Sequence, residues 1–172
     1  MKLRLKPAHP LALVALISGF VLAGAAPASA GETHIAGVQS PPLSSGPCFD
    51  PGAITSYTMT GGLVGCWYTD TLTTRGTGQP SGTIQVTGTE HFVGCLDLNG
   101  DRTCDGADPQ GTLTFSFRFS GKADPVTGAE IRGRCHHPII SATGDFAGAS
   151  GVIMFKDDVT TGTSLYKGHL AL

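Results

Sequence analysis

The side chain best placed to do chemistry is Glu90, in the run Thr83 to Leu96. Strict alternation puts Glu90 on the face it shares with Ile84, Val86 and Phe92. If that face is interior, desolvation raises the carboxyl's pKa and fits it for general acid or base work. Gly88 could instead host a β-bulge, which would turn Glu90 outward and bring Val93 and Cys95 in. Both orientations stay open at the level of sequence. Cys135-His136-His137 is the other candidate group. Adjacent strand residues point to opposite faces, so the two imidazoles cannot grip one zinc ion, which needs three or four converging ligands.

Asp97 to Asp108 carries a different chemistry. Counting Asp97 as position 1, oxygen-bearing side chains fall at Asp97, Asn99, Asp101, Asp105 and Asp108, with Thr103 at position 7, where a backbone carbonyl serves. Such spacing wraps a hard cation and resembles the D-x-N-x-D loops of dockerin-like calcium modules. A structural Ca2+ ion is one of two readings. Two departures count against it: Arg102 stands where the sharp turn takes Gly, and Asp108 is shorter than the bidentate Glu. The alternative is an acidic, solvated hairpin loop.

These residues must be held by strands. Leu113, Phe115, Phe117 and Phe119 share one face of a run whose other face is Thr114, Ser116, Arg118 and Ser120. Gly121 to Gly128 reads as a hairpin loop, and Ile131 to His137 returns with Ile131, Cys135 and His137 on one face. Further strands are expected at Leu63 to Thr73, Thr83 to Leu96, Gly151 to Lys156 and Ser164 to Leu172, the last with Tyr166, Leu170 and Leu172 inward. Trp67 and Tyr68 suit a barrel wall or mouth. Residues 31–54 show Pro and Gly turns and no apolar period, and read as an extended arm before a domain at 55–172. Seven or eight strands joined mostly by short Gly-rich turns predict an all-β sandwich or barrel. Long strands with Gly kinks favour a single closed antiparallel barrel.

The leader has its own signature. Lys2, Arg4 and Lys6 precede the apolar run Leu11 to Ala26, and Ala28-Ser29-Ala30 supplies small residues for cleavage. This order is that of a secretory signal peptide spanning 1–30, so a secreted protein is expected. Removing its three basic residues leaves eight Lys and Arg against 13 Asp and Glu, a net charge of −5. That sign disfavours nucleic-acid and anionic membrane partners. No later segment is apolar enough to span a bilayer as a helix.

Export also makes disulfides the default for Cys48, Cys66, Cys95, Cys104 and Cys135. An odd count leaves one thiol over, and fifteen arrangements of two bridges are possible. Cys95–Cys104 is favoured because it closes a short loop between two strand-like runs. The spare thiol is read as a buried small hydrophobe or an intermolecular link rather than a nucleophile.

Gly144-Asp145-Phe146-Ala147-Gly148-Ala149-Ser150-Gly151, preceded by Pro138 to Thr143 and followed by Val152 to Phe155, resembles the turn before a late strand in allene oxide cyclase-like and dirigent-like β-barrels. Phe146 would plug the barrel end. The resemblance covers about twenty residues and implies architecture, with no catalytic set to carry over. The chain has no G-x-S-x-G elbow, P-loop or dinucleotide fingerprint. Two functions follow from a barrel of this kind. One is a non-catalytic module binding a small apolar ligand or an extracellular partner. The other is a cyclase or isomerase that shapes an apolar polyene or oxylipin-like substrate, with Glu90 as acid or base.

Overall fold

A computed structural model describes residues 31–172; the leader expected at 1–30 lies outside them. Eight strands run β1 (Glu32–Gln39), β2 (Thr55–Gly61), β3 (Leu63–Thr77), β4 (Thr83–Leu96), β5 (Gln110–Ala123), β6 (Glu130–Gly144), β7 (Ser150–Asp158) and β8 (Thr163–Ala171). Each pairs antiparallel with its neighbours in sequence, and β1 pairs with β8, which closes the barrel. No helix forms among the described residues, so none is long and apolar enough to cross a membrane.

Strand β1 corrects the reading of 31–54 as an arm. It pairs with β8 over its whole length and with β2 at Gly37–Gln39. Its sequence hides this because the inward positions are Ile35, Gly37 and Gln39, with one large apolar side chain among them. Two flanking strands hold it in place, where its own pattern could not. Only the following connection, residues 40–54, is irregular. It is stapled to β3 by the Cys48–Cys66 disulfide.

An up-and-down barrel puts alternate connections at opposite ends. The end formed by the β2–β3, β4–β5 and β6–β7 connections is closed. Met59, Leu63, Phe92, Leu96, Leu113, Phe146 and Leu170 pack there with almost no exposure. Phe146 is inserted from the β6–β7 turn, which Gly144 and Gly148 allow at φ 69° and 88°. Tyr166 on β8 bolts this end. Its hydroxyl accepts from the Leu63 amide at 2.8 Å and donates to the Thr60 carbonyl at 3.1 Å.

The Phe row of β5 maps the change along the barrel axis. Leu113 and Phe115 are fully buried, Phe117 nearly so, and Phe119 only half-buried. Packing is complete near the closed end and gives way to a cavity toward the β1–β2, β3–β4, β5–β6 and β7–β8 connections.

Candidate functional site

Glu90 faces the interior. Strand β4 pairs in continuous register with β5 from Thr83 to Cys95, so Gly88 hosts no bulge and the parity set by Val86 and Phe92 carries through. The bulges lie on β3 and β6. Asp70 of β3 is left out between Thr69↔Glu90 and Thr71↔Thr89. On β6, Lys122 pairs with Arg132 and Ala123 with Glu130, which leaves out Ile131.

The second bulge changes what the barrel contains. Ile131, expected inward with Cys135 and His137, is 56% exposed. Glu130 lines the cavity instead. Nothing in the sequence pattern marks that bulge, because the residue displaced is a β-branched apolar one with no turn signal beside it. Leu172, also expected inward, lies beyond the end of β8 and is exposed.

Around Glu90 (8% exposed) three hydrogen-bonding partners converge. Trp67 Nε1 donates to Oε2 at 2.9 Å, and Thr69 Oγ1 donates to Oε1 at 2.8 Å. His137 Nε2 lies 2.7 Å from Oε2. Thr55 Oγ1 donates to Thr69 Oγ1 at 2.8 Å, so the network reaches β2. A carboxylate offers about four lone-pair sites, and here three are engaged. His137 (3% exposed) is boxed by rings: stacked on Phe117, and edge-on to Trp67 and to Phe155 with centroids 5.3 and 4.7 Å away. Its Nδ1 is buried with no hydrogen-bond partner. His136 takes the opposite face, as adjacent strand residues must, and lines a shallow outer groove.

Above this layer lies a cavity of about 370 Å³, open at the β1–β2 and β7–β8 connections. Glu90 and His137 are at its inner end, and Tyr57, Phe117, Phe119 and Phe155 are among its walls. Near the mouth, Ser164 Oγ donates to Asp157 Oδ1 at 2.6 Å. Asp157 lies over Gly133, where a Cβ would come within 2.4 Å of Oδ2, so the missing side chain makes room for the carboxylate. Burial, then the charge of Asp157 and a hydrogen bond with it, push the Glu130 carboxyl up to about 7. Burial likewise raises the Tyr57 hydroxyl, with the Glu90 charge adding to it.

Cys135, the thiol left over, also lines this cavity. Burial and the negative charges of Glu90 and Asp157 push it well above the ordinary thiol range, which makes a poor nucleophile. The other four cysteines form Cys48–Cys66 and the expected Cys95–Cys104 bridge.

The Asp97–Asp108 loop stands apart, at the closed end between β4 and β5. Arg102 adopts φ 66°, the left-handed conformation that Gly ordinarily supplies at this turn. Asp97 accepts from the amides of Gly100 and Arg102, Asn99 from Asp101, and Asp101 from Thr103. The Thr103 hydroxyl and amide hold the Asp101 carboxyl below its usual range. Asp105 accepts from the Ala107 amide, and buried Asp108 accepts from Leu98 and Asp105. As held here the loop is braced by its own backbone. No cluster of three or more His, Cys, Asp or Glu side chains suited to a metal occurs among the described residues.

His137, Thr69 and Glu130 join the site without having been singled out for it in the sequence. For His137 a signal existed: it shares parity with Cys135 on a strand whose inner face is apolar, so a buried imidazole needed a partner, and Glu90 was the available one. The chain matches no protein-family model, and no curated protein matches it.

Proposed function

We propose that this is an exported β-barrel protein that holds a small, largely apolar molecule in the open half of its barrel. The observation that carries this reading is the 370 Å³ cavity with aromatic walls and a polar inner end. Its size falls within the roughly 300–1,000 Å³ of small-molecule sites, which pair apolar walls with a few placed polar groups. Kinship with the allene oxide cyclase-like barrels is part of the proposal. It is supported by the eight-stranded closure and by the Gly144–Gly151 turn that seats Phe146. Export is supported by the leader and agrees with two disulfides.

A second reading, the cyclase or isomerase, is favoured by one observation: Glu90 lines the cavity beside His137 rather than facing solvent. In that reading Glu90 accepts a substrate proton while the rings fix the substrate's shape. Against it, the Glu90 oxygens are already engaged by Trp67, Thr69 and His137. The binding reading is therefore preferred.

Calcium in the Asp97–Asp108 loop is a separate proposal. It is supported by the oxygen spacing and by the left-handed turn at Arg102.

Calorimetric titration with benzyl alcohol tests the binding reading. Saturable binding is expected in the native protein and strong weakening in Val86→Phe, which fills the cavity from β4. Equal binding by both proteins would place the probe elsewhere and overturn the reading.

A further inference from the structure

The charges lining the cavity do not balance. Glu90 is hydrogen-bonded with His137 at 2.7 Å. Glu130, Asp157 and Asp158 face the same space with no ion pair among the described residues, and no Lys or Arg among those residues lines it. Glu130 Oε1 is buried with no hydrogen-bond partner, and the ring of His137, which lines the same cavity nine-tenths and more buried, leaves Nδ1 unpartnered. The pair is a built feature. The bulge at Ile131 turns Glu130 inward, Gly133 clears the space for Asp157, and Ser164 orients it. Phe119 and Phe155 line the cavity with the pair, and the face of an aromatic ring attracts a cation.

We propose that the cavity's ligand is an organic cation, an amine with an apolar body, whose ammonium group is held by Glu130 and Asp157 at the mouth while the body lies against the aromatic walls. This rests on the reading of the cavity as a ligand site and names its ligand class. Without ligand, Glu130 keeps a proton against Asp157 up to about pH 7; the incoming ammonium replaces that proton. Amine binding therefore strengthens as pH rises through about 7. The titratable groups facing Glu130 across the cavity are Glu90 on β4, Tyr57 on β2, Cys135 and His137 on β6, and Asp157 and Asp158 on β7. None of the carboxylates is drawn toward a competing Lys or Arg there.

Three probes of one shape and different charge decide it: benzylamine, benzyl alcohol and benzoate, titrated calorimetrically into the mature protein at about pH 6 and about pH 8. Benzylamine is expected to bind about tenfold or more tighter than benzyl alcohol at the higher pH, with benzoate weakest and the amine's advantage smaller at the lower pH. Asp157→Asn, and separately Glu130→Gln, should bring benzylamine down to the affinity of benzyl alcohol on the same variant. Melting curves identify any variant that fails to fold, and the other then carries the test. Equal binding of amine and alcohol by the native protein overturns this inference and leaves the cavity reading standing. An amine preference that survives both variants overturns the assignment to this pair. Binding by none of the three probes overturns both the inference and the reading beneath it.

Discussion

Glu90 on β4 and His137 on β6 meet at 2.7 Å inside the barrel, although 47 residues separate them in the chain. They belong to strands that do not touch. β5 lies between them, so the contact is made across the curved interior, over the Phe row. Closure of the sheet creates this relationship, and a flat sheet of the same order would separate the two groups.

The stability of the barrel should register that contact. Glu90→Leu leaves Trp67 Nε1, Thr69 Oγ1 and His137 Nε2 without their acceptor in a buried layer. Leaving a buried polar group unsatisfied costs about 1–3 kcal/mol, and here three are affected. Glu90→Gln keeps an acceptor for Trp67 and His137 and offers a donor to Thr69, whose hydroxyl can reverse, so about 1–3 kcal/mol is expected. Urea unfolding of both variants measures the difference. Equal losses would mean that the acceptor oxygens do not matter and that size alone sets the cost.

The two bridges close loops of different length, with sequence separations of 18 for Cys48–Cys66 and 9 for Cys95–Cys104. Chain entropy assigns about 3 kcal/mol to each, the longer loop somewhat more. Paired Cys→Ser variants, compared by urea midpoint, should rank accordingly. Alkylation of the unfolded, unreduced protein should find one thiol per chain, at Cys135. The folded protein should react far more slowly, since burial both shields that thiol and keeps it protonated.

Much of the architecture is readable in single residues. Period two through Leu113 to Ser120 identifies β5, and the Gly-rich turns point to a barrel. The parity that unites Glu90 with Val86 and Phe92 is also there, but Gly88 makes it ambiguous because a glycine is where a bulge is expected. Bulges form at Asp70, Arg75, Ile131 and Ile140 instead, and only Arg75 has a glycine beside it. Those choices follow from how neighbouring strands keep register while coiling into a cylinder, which is a property of the whole sheet. β1 was hidden for a related reason: its strand character comes from β2 and β8, and its sequence carries little of it.

Calcium has an independent readout. If the Asp97–Asp108 oxygens take up Ca2+, the folded state alone binds it, and stability rises by about 2.7 kcal/mol at a hundredfold excess over Kd. A melting temperature several degrees higher in calcium than in chelator is expected. Asp97→Ala and Asp101→Ala should abolish the difference. Identical melting in calcium and chelator removes the ion and leaves a loop braced by the amide bonds to Asp97, Asn99 and Asp101.

The pH dependence of stability separates the mouth pair from the rest of the cavity. Glu130 titrates near 7 in the folded protein against an ordinary value of 4.5, chiefly because it is buried and then because Asp157 faces it. Between those two values the folded chain retains a proton that the unfolded chain has released. Stability from this group is therefore fully present below about 4.5 and is lost as pH rises to about 7, with no further change above. Glu130→Gln cannot release a proton, so its stability should lack this decline, and the gap between variant and native protein should widen in the variant's favour from pH 4.5 to 7. Asp157→Asn removes the facing charge and should shrink the decline by lowering the Glu130 value. Urea midpoints across that range measure all three proteins. Parallel profiles would show that Glu130 is as solvated in the folded barrel as in the unfolded chain, and the carboxyl pair at the mouth would then not exist as drawn.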